Sequence, residues 1–341
     1  MQLNIYQSAF FAISLSLFFN YFLLRFSKKI EFIKVKNEKR LVNKNIPPLG
    51  GIGIALAFLI SVRLLGKADS NYLFIGFFGV MLSFLGAIDD KYVLSWKVKL
   101  FFQSIFIIIP IFYLNIFINI EPIFGLDLNN FLNKIITVIW IILLVNSINF
   151  IDNMDGLASF VTGSICVQII ILTYIFNQNK LTDLTVILFC TIIGFLIFNY
   201  PPAKIYLGDS GSTFIGYLLG FISVLFTWNK FGSGYLSYFL SPILLFFTIP
   251  LLDLAVILNY RITNNISPTT GGTDHISHRL LAKGFTQKKV LVYFLIYSFY
   301  NFAFIISLLI IGDFIGFLLT VIYLSHFLLI YLYISKLKIL T

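Results

Sequence analysis

Long apolar segments recur along almost the whole chain and are separated by short polar ones. Eleven of them reach the roughly 17–25 residues that an α-helix needs to cross the hydrocarbon core of a bilayer. We therefore predict an all-α integral membrane protein with about eleven transmembrane helices, folded as a single domain over residues 1–341. The eleven segments are 4–26, 49–65, 71–88, 100–119, 134–151, 157–177, 183–200, 211–229, 237–260, 290–311 and 314–335.

Composition agrees with this pattern, because 59% of the residues are hydrophobic and only 11% are charged. Soluble globular proteins do not show such a balance. The first segment has no basic residues before it, so we predict a retained helix and not a cleavable signal. Both cysteines, Cys166 and Cys190, fall within predicted spans, where packing is the expected role and a disulfide or metal site is not.

The net charge of +10 follows the topology of the chain. Most of the 24 Lys and Arg residues lie in the loop after residue 26 and in every second loop after it. The positive-inside rule makes that side cytoplasmic, with the N-terminus outside and the C-terminus inside. Attraction to anionic lipid headgroups and phosphorylated substrates uses the same charges. The excess of basic residues therefore does not imply a nucleic-acid partner.

A polar motif interrupts the apolar pattern at residues 146–157. On a helix, Asn146, Asn149, Asp152 and Asn153 would share one face, and Asp155 follows them. Carboxylates and amides are costly at membrane depth and usually serve a function there. We predict a site at this stripe, with a plain polar helix cap as the alternative.

Two further acidic motifs lie at the predicted cytoplasmic ends of spans. Asp89 and Asp90 end the third span, where they repel each other unless a cation is near, or else are solvated at a helix stop. Asp209 lies in Leu-Gly-Asp-Ser-Gly-Ser-Thr, which leads into the eighth span. Such a helix N-terminus suits phosphate, although an ordinary Asp or Ser N-cap would look the same.

The last inner loop carries Arg261 and the sequence Asp-His-Ile-Ser-His-Arg at 274–279. Paired histidines beside an arginine suit phosphate, whereas their spacing and number are not those of a zinc site. Gly50 and Gly51 open the second span and allow close approach of a ligand or simply of another helix. We predict that His326, in the middle of the last span, is a core residue.

Taken together, five motifs between residues 47 and about 284 resemble the polyprenyl-phosphate N-acetylhexosamine-1-phosphate transferases, glycosyltransferase family four. They are Pro-Pro-Leu-Gly-Gly at 47–51, the Asp89–Asp90 pair, residues 146–157, the Asp209 motif and the 274–279 loop, in the family's order. No single motif is specific, but their order on one membrane face is.

The resemblance implies an active site on the cytoplasmic face of the bacterial cytoplasmic membrane. There the phosphate of undecaprenyl phosphate would attack the β-phosphate of a UDP-N-acetylhexosamine and release UMP. The lipid-linked sugar would initiate an envelope glycan such as O-antigen or cell-wall polymer. Mg²⁺, with Mn²⁺ as an alternative ion, would offset the phosphate charges. Partners are the two substrates and membrane lipids, and a homodimer is left open.

The resemblance also implies a role for each motif residue. Asp209 would be the main Mg²⁺ ligand, with Asn149 beside it. Asp89 and Asp90 would position or deprotonate the lipid phosphate, and Asp152 and Asp155 would contact nucleotide or metal. His275 would be catalytic like these four aspartates and would contact the diphosphate together with Arg279. The remaining expected substrate-binding residues are His278, Arg261, Asn146, Gly50 and Gly51.

Two positions depart from the family pattern. Asn153 stands where the family has a glycine, and Ser277 stands where many members have another histidine. The muramoyl-pentapeptide enzymes tend to carry a run of histidines, so this loop favours the N-acetylglucosaminyl type. UDP-GlcNAc is the expected donor, with UDP-MurNAc-pentapeptide and other UDP-N-acetylhexosamines as alternatives.

Two rival classes fit less well. A CDP-alcohol phosphatidyltransferase needs Ala-Arg where this chain has Ser159-Phe160. A secondary transporter would place its acids near the membrane midplane, at broken helices. Here only Asp253, close to Pro250, lies at any depth.

Overall fold

The computed structural model describes residues 4–27, 46–65, 70–118, 129–226, 245–268, 271–310 and 313–337, without the side chains of 308–310, 313–317, 319 and 320. These ranges contain twelve helices and no strand. The helices are α1 (Ile5–Ser27), α2 (Gly50–Leu64), α3 (Ser70–Tyr92), α4 (Trp96–Leu114), α5 (Asn130–Ile151), α6 (Leu157–Ile175), α7 (Asn179–Asn199), α8 (Gly208–Leu225), α9 (Thr248–Thr263), α10 (Ile276–Ala282), α11 (Gln287–Ile310) and α12 (Asp313–Ser335).

The protein is an all-α, multi-pass membrane protein. Seven of the described helices, α1, α3 to α7 and α11, are long and apolar enough to cross a bilayer. Each of the eleven predicted segments overlaps a helix, so the helical prediction is confirmed within the described ranges. Eleven crossings and the orientation of the termini remain predictions. The short helix α10 was not predicted, because its seven residues are too few to form a long apolar segment.

Helix α8 lies at the centre of the bundle, and all its residues from 208 to 223 are buried. It packs mainly against α3 and α5. Small residues allow this contact: a Cβ at Gly216 would lie 2.7 Å from Cα of Val145, and one at Gly220 would lie 2.9 Å from Cγ2 of Ile141. The start of α8 is therefore held at a fixed depth between its neighbours.

The helix ends that carry the polar motifs meet on one side of the bundle. The ends of α3, α5, α7 and α9 are followed along the chain by the starts of α4, α6, α8 and α10, respectively. Direct hydrogen bonds join these ends, for example between Asn149 and Asp209. The predicted first basic loop, 27–48, lies almost entirely outside the described residues.

The stripe predicted at residues 146–153 is interrupted, and this corrects the sequence-based expectation. Helix α5 ends at Ile151, and Asp152 leaves the helix with φ −78° and ψ 57°. Asn153 therefore lies in the turn before α6 and not on the helix face of Asn146. The cause is local, since Asn and Asp favour turns and Gly156 adopts φ +73° at the start of α6.

Candidate active site

Asp209 lies in the first turn of α8, and glycines let three backbones approach one another there. A Cβ at Gly86 of α3 would lie 2.5 Å from the backbone carbon and oxygen of Asp209. A Cβ at Gly51 of α2 would overlap the backbone of Gly211. Gly208 has φ +70°, a conformation that other residues adopt with strain. The carboxylate of Asp209 is therefore placed by close helix packing.

Gly50 and Gly51 also make backbone hydrogen bonds to the segment before α8. Their N–H groups donate to the carbonyls of Tyr206, at 3.0 Å, and Leu207, at 3.1 Å. The N–H of Tyr206 in turn donates to the carbonyl of Pro47 at 2.9 Å. The two glycines thus join α2 to α8, and their predicted contact with substrate stays a prediction.

Two carboxylates share one ammonium group at the centre of the site. The Nζ of Lys99, in the first turns of α4, lies 2.7 Å from Oδ2 of Asp89 and also pairs with Oδ2 of Asp209. The second oxygen of Asp89 accepts a hydrogen bond of 2.7 Å from the N–H of Leu94. The three charged side chains are 11–21% exposed, so a small ligand can reach them.

Asn149 contacts the same group of side chains, and its predicted role as a metal ligand stays a prediction. Its side-chain NH₂ lies 2.9 Å from Oδ1 of Asp209 and 2.8 Å from Oγ of Ser212. The Asp209 carboxylate is therefore held from both sides, by an amide and by an ammonium. Asn146 is not joined to this group, because its NH₂ donates to the carbonyl of Ile142 in its own helix at 2.7 Å.

The other predicted acids lie around the same helix ends. Oδ2 of Asp90 faces the N–H of Ser210 at 3.4 Å, at the start of α8. Oδ2 of Asp155 accepts a hydrogen bond of 3.0 Å from the N–H of Ala203 and so fixes the loop before α8. Asp152 is half-buried at the end of α5. The three acids thus border the start of α8 or the turn between α5 and α6.

Arg261 and Asp274 form a buried, two-pronged ion pair. Nε of Arg261 lies 2.7 Å from one carboxylate oxygen and Nη2 lies 2.9 Å from the other. Burial alone would raise the pKa of Asp274, but the hydrogen bonds and charge of Arg261 outweigh it and lower that pKa. A third nitrogen of Arg261 donates to the carbonyl of Pro268 at 2.7 Å. The predicted substrate contact of Arg261 remains untested.

His275 pairs with Asp253, an acid that the sequence analysis did not assign to the site. Its Nδ1 lies 2.9 Å from Oδ2 of Asp253, and both side chains are buried. The imidazole also packs near Phe150, with ring centroids 6.1 Å apart, and near His278, at 5.5 Å. His275 is thereby located next to the helix end that carries Asn149.

The two positions that depart from the family pattern contact each other. Oγ of Ser277 donates a hydrogen bond to Oδ1 of Asn153, and Nε2 of His278 lies 3.3 Å from the carbonyl oxygen of Asn153. Burial, followed by the nearby charge of His275, lowers the pKa of His278. The turn between α5 and α6 is thereby joined to α10.

Arg279 connects the loop to the end of α12. Its Nη1 donates to the carbonyls of Ser335, at 3.0 Å, and Leu337, at 3.1 Å, and its Nε donates to the carbonyl of Asp274 at 3.0 Å. Carbonyls at a helix C-terminus need such donors. The predicted contact between Arg279 and a diphosphate stays a prediction.

Lys99 and Asp253 lie among the site residues although no sequence motif points to them. In the sequence, Lys99 fits the positive-inside pattern like many other lysines, and its place ten residues after Asp89 is not a motif. Asp253 had been noted for its depth, and a buried carboxylate needs a partner. That need was the available signal for the pair with His275.

Asp89, Lys99, Asn149 and Asp209 form a cluster that we call the carboxylate–lysine centre. Its carboxylate and amide oxygens suit Mg²⁺. Two carboxylates, Asp89 and Asp209, converge on one point that is already occupied by positive charge. Across the described part of the chain, no three His, Cys, Asp or Glu residues form a complete metal cage. Mg²⁺ is usually held by one or two carboxylates together with water and substrate phosphates, so these residues fit it.

Part of the chain matches a known protein family. Residues 72–227 match the family model of glycosyl transferase family 4. This region contains the Asp89–Asp90 pair, the 146–157 motif and Asp209. The match therefore covers the helices that build the carboxylate–lysine centre. The resemblance predicted from the motifs is confirmed.

Individual relatives narrow this class. The chain is 29% identical over 278 residues to a probable undecaprenyl-phosphate N-acetylglucosaminyl 1-phosphate transferase of Bacillus subtilis strain 168, across 80% of this chain and 76% of the relative. It is 29% identical over 273 residues to the undecaprenyl-phosphate alpha-N-acetylglucosaminyl 1-phosphate transferase of Thermotoga maritima, across 79% and 80%. A phospho-N-acetylmuramoyl-pentapeptide-transferase of Endomicrobium trichonymphae is 28% identical over 238 residues, across 58% and 66%.

Proposed function

We propose that this protein transfers N-acetylglucosamine 1-phosphate from UDP-GlcNAc to undecaprenyl phosphate. An oxygen of the lipid phosphate attacks the β-phosphorus of the nucleotide sugar. The bond from that phosphorus to the bridging oxygen breaks, and UMP leaves with the electron pair. The names of the Bacillus and Thermotoga relatives support this choice of acceptor and sugar.

One observation carries the proposal: Lys99 brings Asp89 and Asp209 together at the ends of membrane helices. A membrane-bound phosphate and a water-soluble nucleotide can both reach such a place. Both substrates are anionic, so their approach requires positive charge and a means of holding a cation. The shared ammonium and the two carboxylates meet both requirements.

Mg²⁺ would be held by Asp209, with Asp89 and Asn149 beside it. When bound there, the ion would neutralise phosphate charge and help to align an in-line displacement. Asp209 is suited to this task because packing and two side-chain contacts fix its carboxylate. Lys99 would exchange its carboxylate partners for phosphate oxygens when substrates bind.

The other acids and the histidine would act around this centre. Asp90, next to the N-terminus of α8, would position the lipid phosphate or receive its proton together with Asp89. Asp152 and Asp155 would contact the nucleotide from the turn after α5. His275 would place Nε2 against the diphosphate, because its Nδ1 is already paired with Asp253.

We place the reaction on the cytoplasmic side of the bacterial cytoplasmic membrane. The distribution of Lys and Arg supports this side, because most of them lie in loops at the motif-bearing ends of the helices. Protease accessibility of a tag inserted after Gly284 would test it, since α10 and α11 flank that position at the site end.

Release of UMP tests the reaction directly. Purified protein with undecaprenyl phosphate, UDP-GlcNAc and Mg²⁺ should release UMP, and EDTA or Asp209→Ala should abolish release. Asp183→Asn is the matched control, because it changes an acid about 24 Å along α7 from Asn199 and the site. If no UDP-N-acetylhexosamine yields UMP, the transferase proposal is wrong.

UDP-MurNAc-pentapeptide is the second donor to be tested, because the Endomicrobium relative is named a phospho-N-acetylmuramoyl-pentapeptide-transferase. The two donors should be supplied separately, at equal concentration and with the same acceptor. We expect UMP release from UDP-GlcNAc to be the faster of the two. Faster release from UDP-MurNAc-pentapeptide would replace the donor while keeping the reaction.

A further inference from the structure

Asp253 is a buried carboxylate that the proposed reaction does not yet use. Its side chain is 1% exposed, and α9 continues past it from residue 253 to Thr263, about 15 Å along the helix. A carboxylate at such depth is costly unless it is paired and hydrogen-bonded. Its partners therefore indicate why an acid occupies this position.

Both oxygens of Asp253 bind the start of the 275–279 segment. Oδ2 lies 2.9 Å from Nδ1 of His275, and Oδ1 accepts a 2.8 Å hydrogen bond from the N–H of Ile276. An ionised carboxylate can only accept hydrogen bonds, so Nδ1 of His275 must carry the proton. The contact thus selects one form of the imidazole and leaves Nε2 as the nitrogen available for other partners.

The imidazole ring of His275 lies close to the end of α5. The ring lies beside Phe150, with a centroid distance of 6.1 Å, and Phe150 directly follows Asn149 in α5. Asn149 in turn contacts Asp209 at 2.9 Å. Among the described residues, Nε2 of His275 has no hydrogen-bond partner, whereas Nδ1 is fully engaged.

We propose that Asp253 is a positioning residue for the transfer reaction. It accepts the hydrogen bond from Nδ1 of His275 and so turns Nε2 toward the substrate diphosphate, to which the ring donates a hydrogen bond when both of its nitrogens are protonated. This inference rests on the proposed function of the site. Partners that orient a functional histidine through its other nitrogen commonly change activity about 10–100-fold when they are replaced. Asp253 itself contacts no reacting atom.

The imidazole form can be measured without an activity assay. The chain has three histidines, so ¹⁵N-histidine spectra of the full chain in detergent can be assigned with His278→Gln and His326→Gln. We expect wild-type His275 to carry its proton on Nδ1 and Asp253→Asn to shift a large fraction to the Nε2–H form. Wild-type His275 protonated on Nε2 alone would overturn the proposal, and this result requires no variant of Asp253.

A double-mutant cycle on UMP release tests the catalytic consequence. Asp253→Asn should lower kcat about 10–100-fold in the wild-type background and cause little further loss in a His275→Gln background. Thr248→Ala is the control, because Thr248 is a buried polar residue of the same helix that bonds to Leu245 and Tyr323, away from His275. It should leave kcat within about twofold of wild type.

The outcomes separate this inference from the proposed function. Losses that multiply in the double variant would show that Asp253 acts independently of His275, which overturns the positioning role even if the enzyme is active. A wild-type protein that releases no UMP would refute the reaction, and with it the catalytic part of the inference. The spectra would then still decide whether Asp253 controls the form of His275.

Discussion

Two groups of charged residues lie side by side at the ends of the helices, and they are built differently. In the carboxylate–lysine centre (Asp89, Lys99, Asn149 and Asp209), one ammonium is shared by two carboxylates, and the charged side chains are 11–21% exposed. In the arginine–histidine loop (residues 261–279 with Asp253), each charge has its own partner and the ion-paired side chains are 1–7% exposed.

The difference indicates that the two groups have different roles. Partly exposed charges that share a partner can exchange it when a metal ion or phosphate arrives. Buried pairs with two-pronged geometry resist rearrangement, because removing one partner leaves the other charge uncompensated. We therefore expect changes in the first group to alter catalysis and changes in the second to alter stability or the placement of His275.

Replacement of Asp209 should have the largest effect on activity. Asp209→Asn keeps the size of the side chain but removes the charge that would hold Mg²⁺, so we expect kcat to fall about 10³-fold, the scale for loss of a group that stabilises transition-state charge. The variant should unfold at nearly the wild-type temperature. Activity within tenfold of wild type would show that Asp209 is not the main cation ligand, and Asp183→Asn serves as the control.

Arg261 tests the other side of the comparison. Arg261→Met leaves Asp274 buried without its ion pair, so we expect the free energy of unfolding to fall by about 3 kcal/mol, measured by thermal unfolding in detergent. The double variant Arg261→Met/Asp274→Leu should recover much of that loss. If Arg261 instead binds substrate, KM for UDP-GlcNAc will rise while stability is unchanged.

Much of the fold followed from the apolar pattern, because helices that cross a membrane must be long and apolar. Clustering of the acids on one face also followed, since it depends only on the alternation of helix direction. The ends of helices were less predictable. The turn that begins at Asp152 results from a competition between helix and side-chain hydrogen bonds, which residue spacing does not show.

Pairing between distant side chains was the other limit. Nothing in the sequence shows that Lys99 reaches Asp209, 110 residues away, or that Arg279 reaches the end of α12. Such contacts depend on how the helices pack. Glycines such as Gly86 influence this packing, because they let two helix backbones approach closely. The motifs drew attention to Asp89 and Asp209 without revealing Lys99, the cation that pairs with both.

A smaller effect is expected when Lys99 is replaced. Mg²⁺ should then bind more tightly, whereas UDP-GlcNAc should bind more weakly. Lys99→Gln removes the ammonium that competes with Mg²⁺ for Asp89 and Asp209, so the Mg²⁺ concentration for half-maximal activity should fall. KM for UDP-GlcNAc should rise about tenfold, since a phosphate loses a positive partner, and each tenfold change corresponds to about 1.4 kcal/mol.

Lys97→Gln is the matched control for Lys99. Lys97 lies two residues earlier on α4, is exposed, and has its ammonium 5.7 Å from the ring centroid of Trp96. It should leave both the Mg²⁺ requirement and KM close to those of wild type. An equal response of the two lysine variants would mean that general surface charge, and not the shared ammonium, attracts the nucleotide.

The smallest predicted effect joins the two groups. The hydrogen bond between Ser277 and Asn153 links the arginine–histidine loop to the turn that carries Asp152 and Asp155. In a double-mutant cycle, Asn153→Ala and Ser277→Ala should show a coupling of about 1 kcal/mol in the free energy of unfolding. Asn146→Ala with Ser277→Ala is the additive control, because the Asn146 amide bonds within α5. Additivity in both cycles would mean that the Ser277–Asn153 hydrogen bond does not couple the two groups.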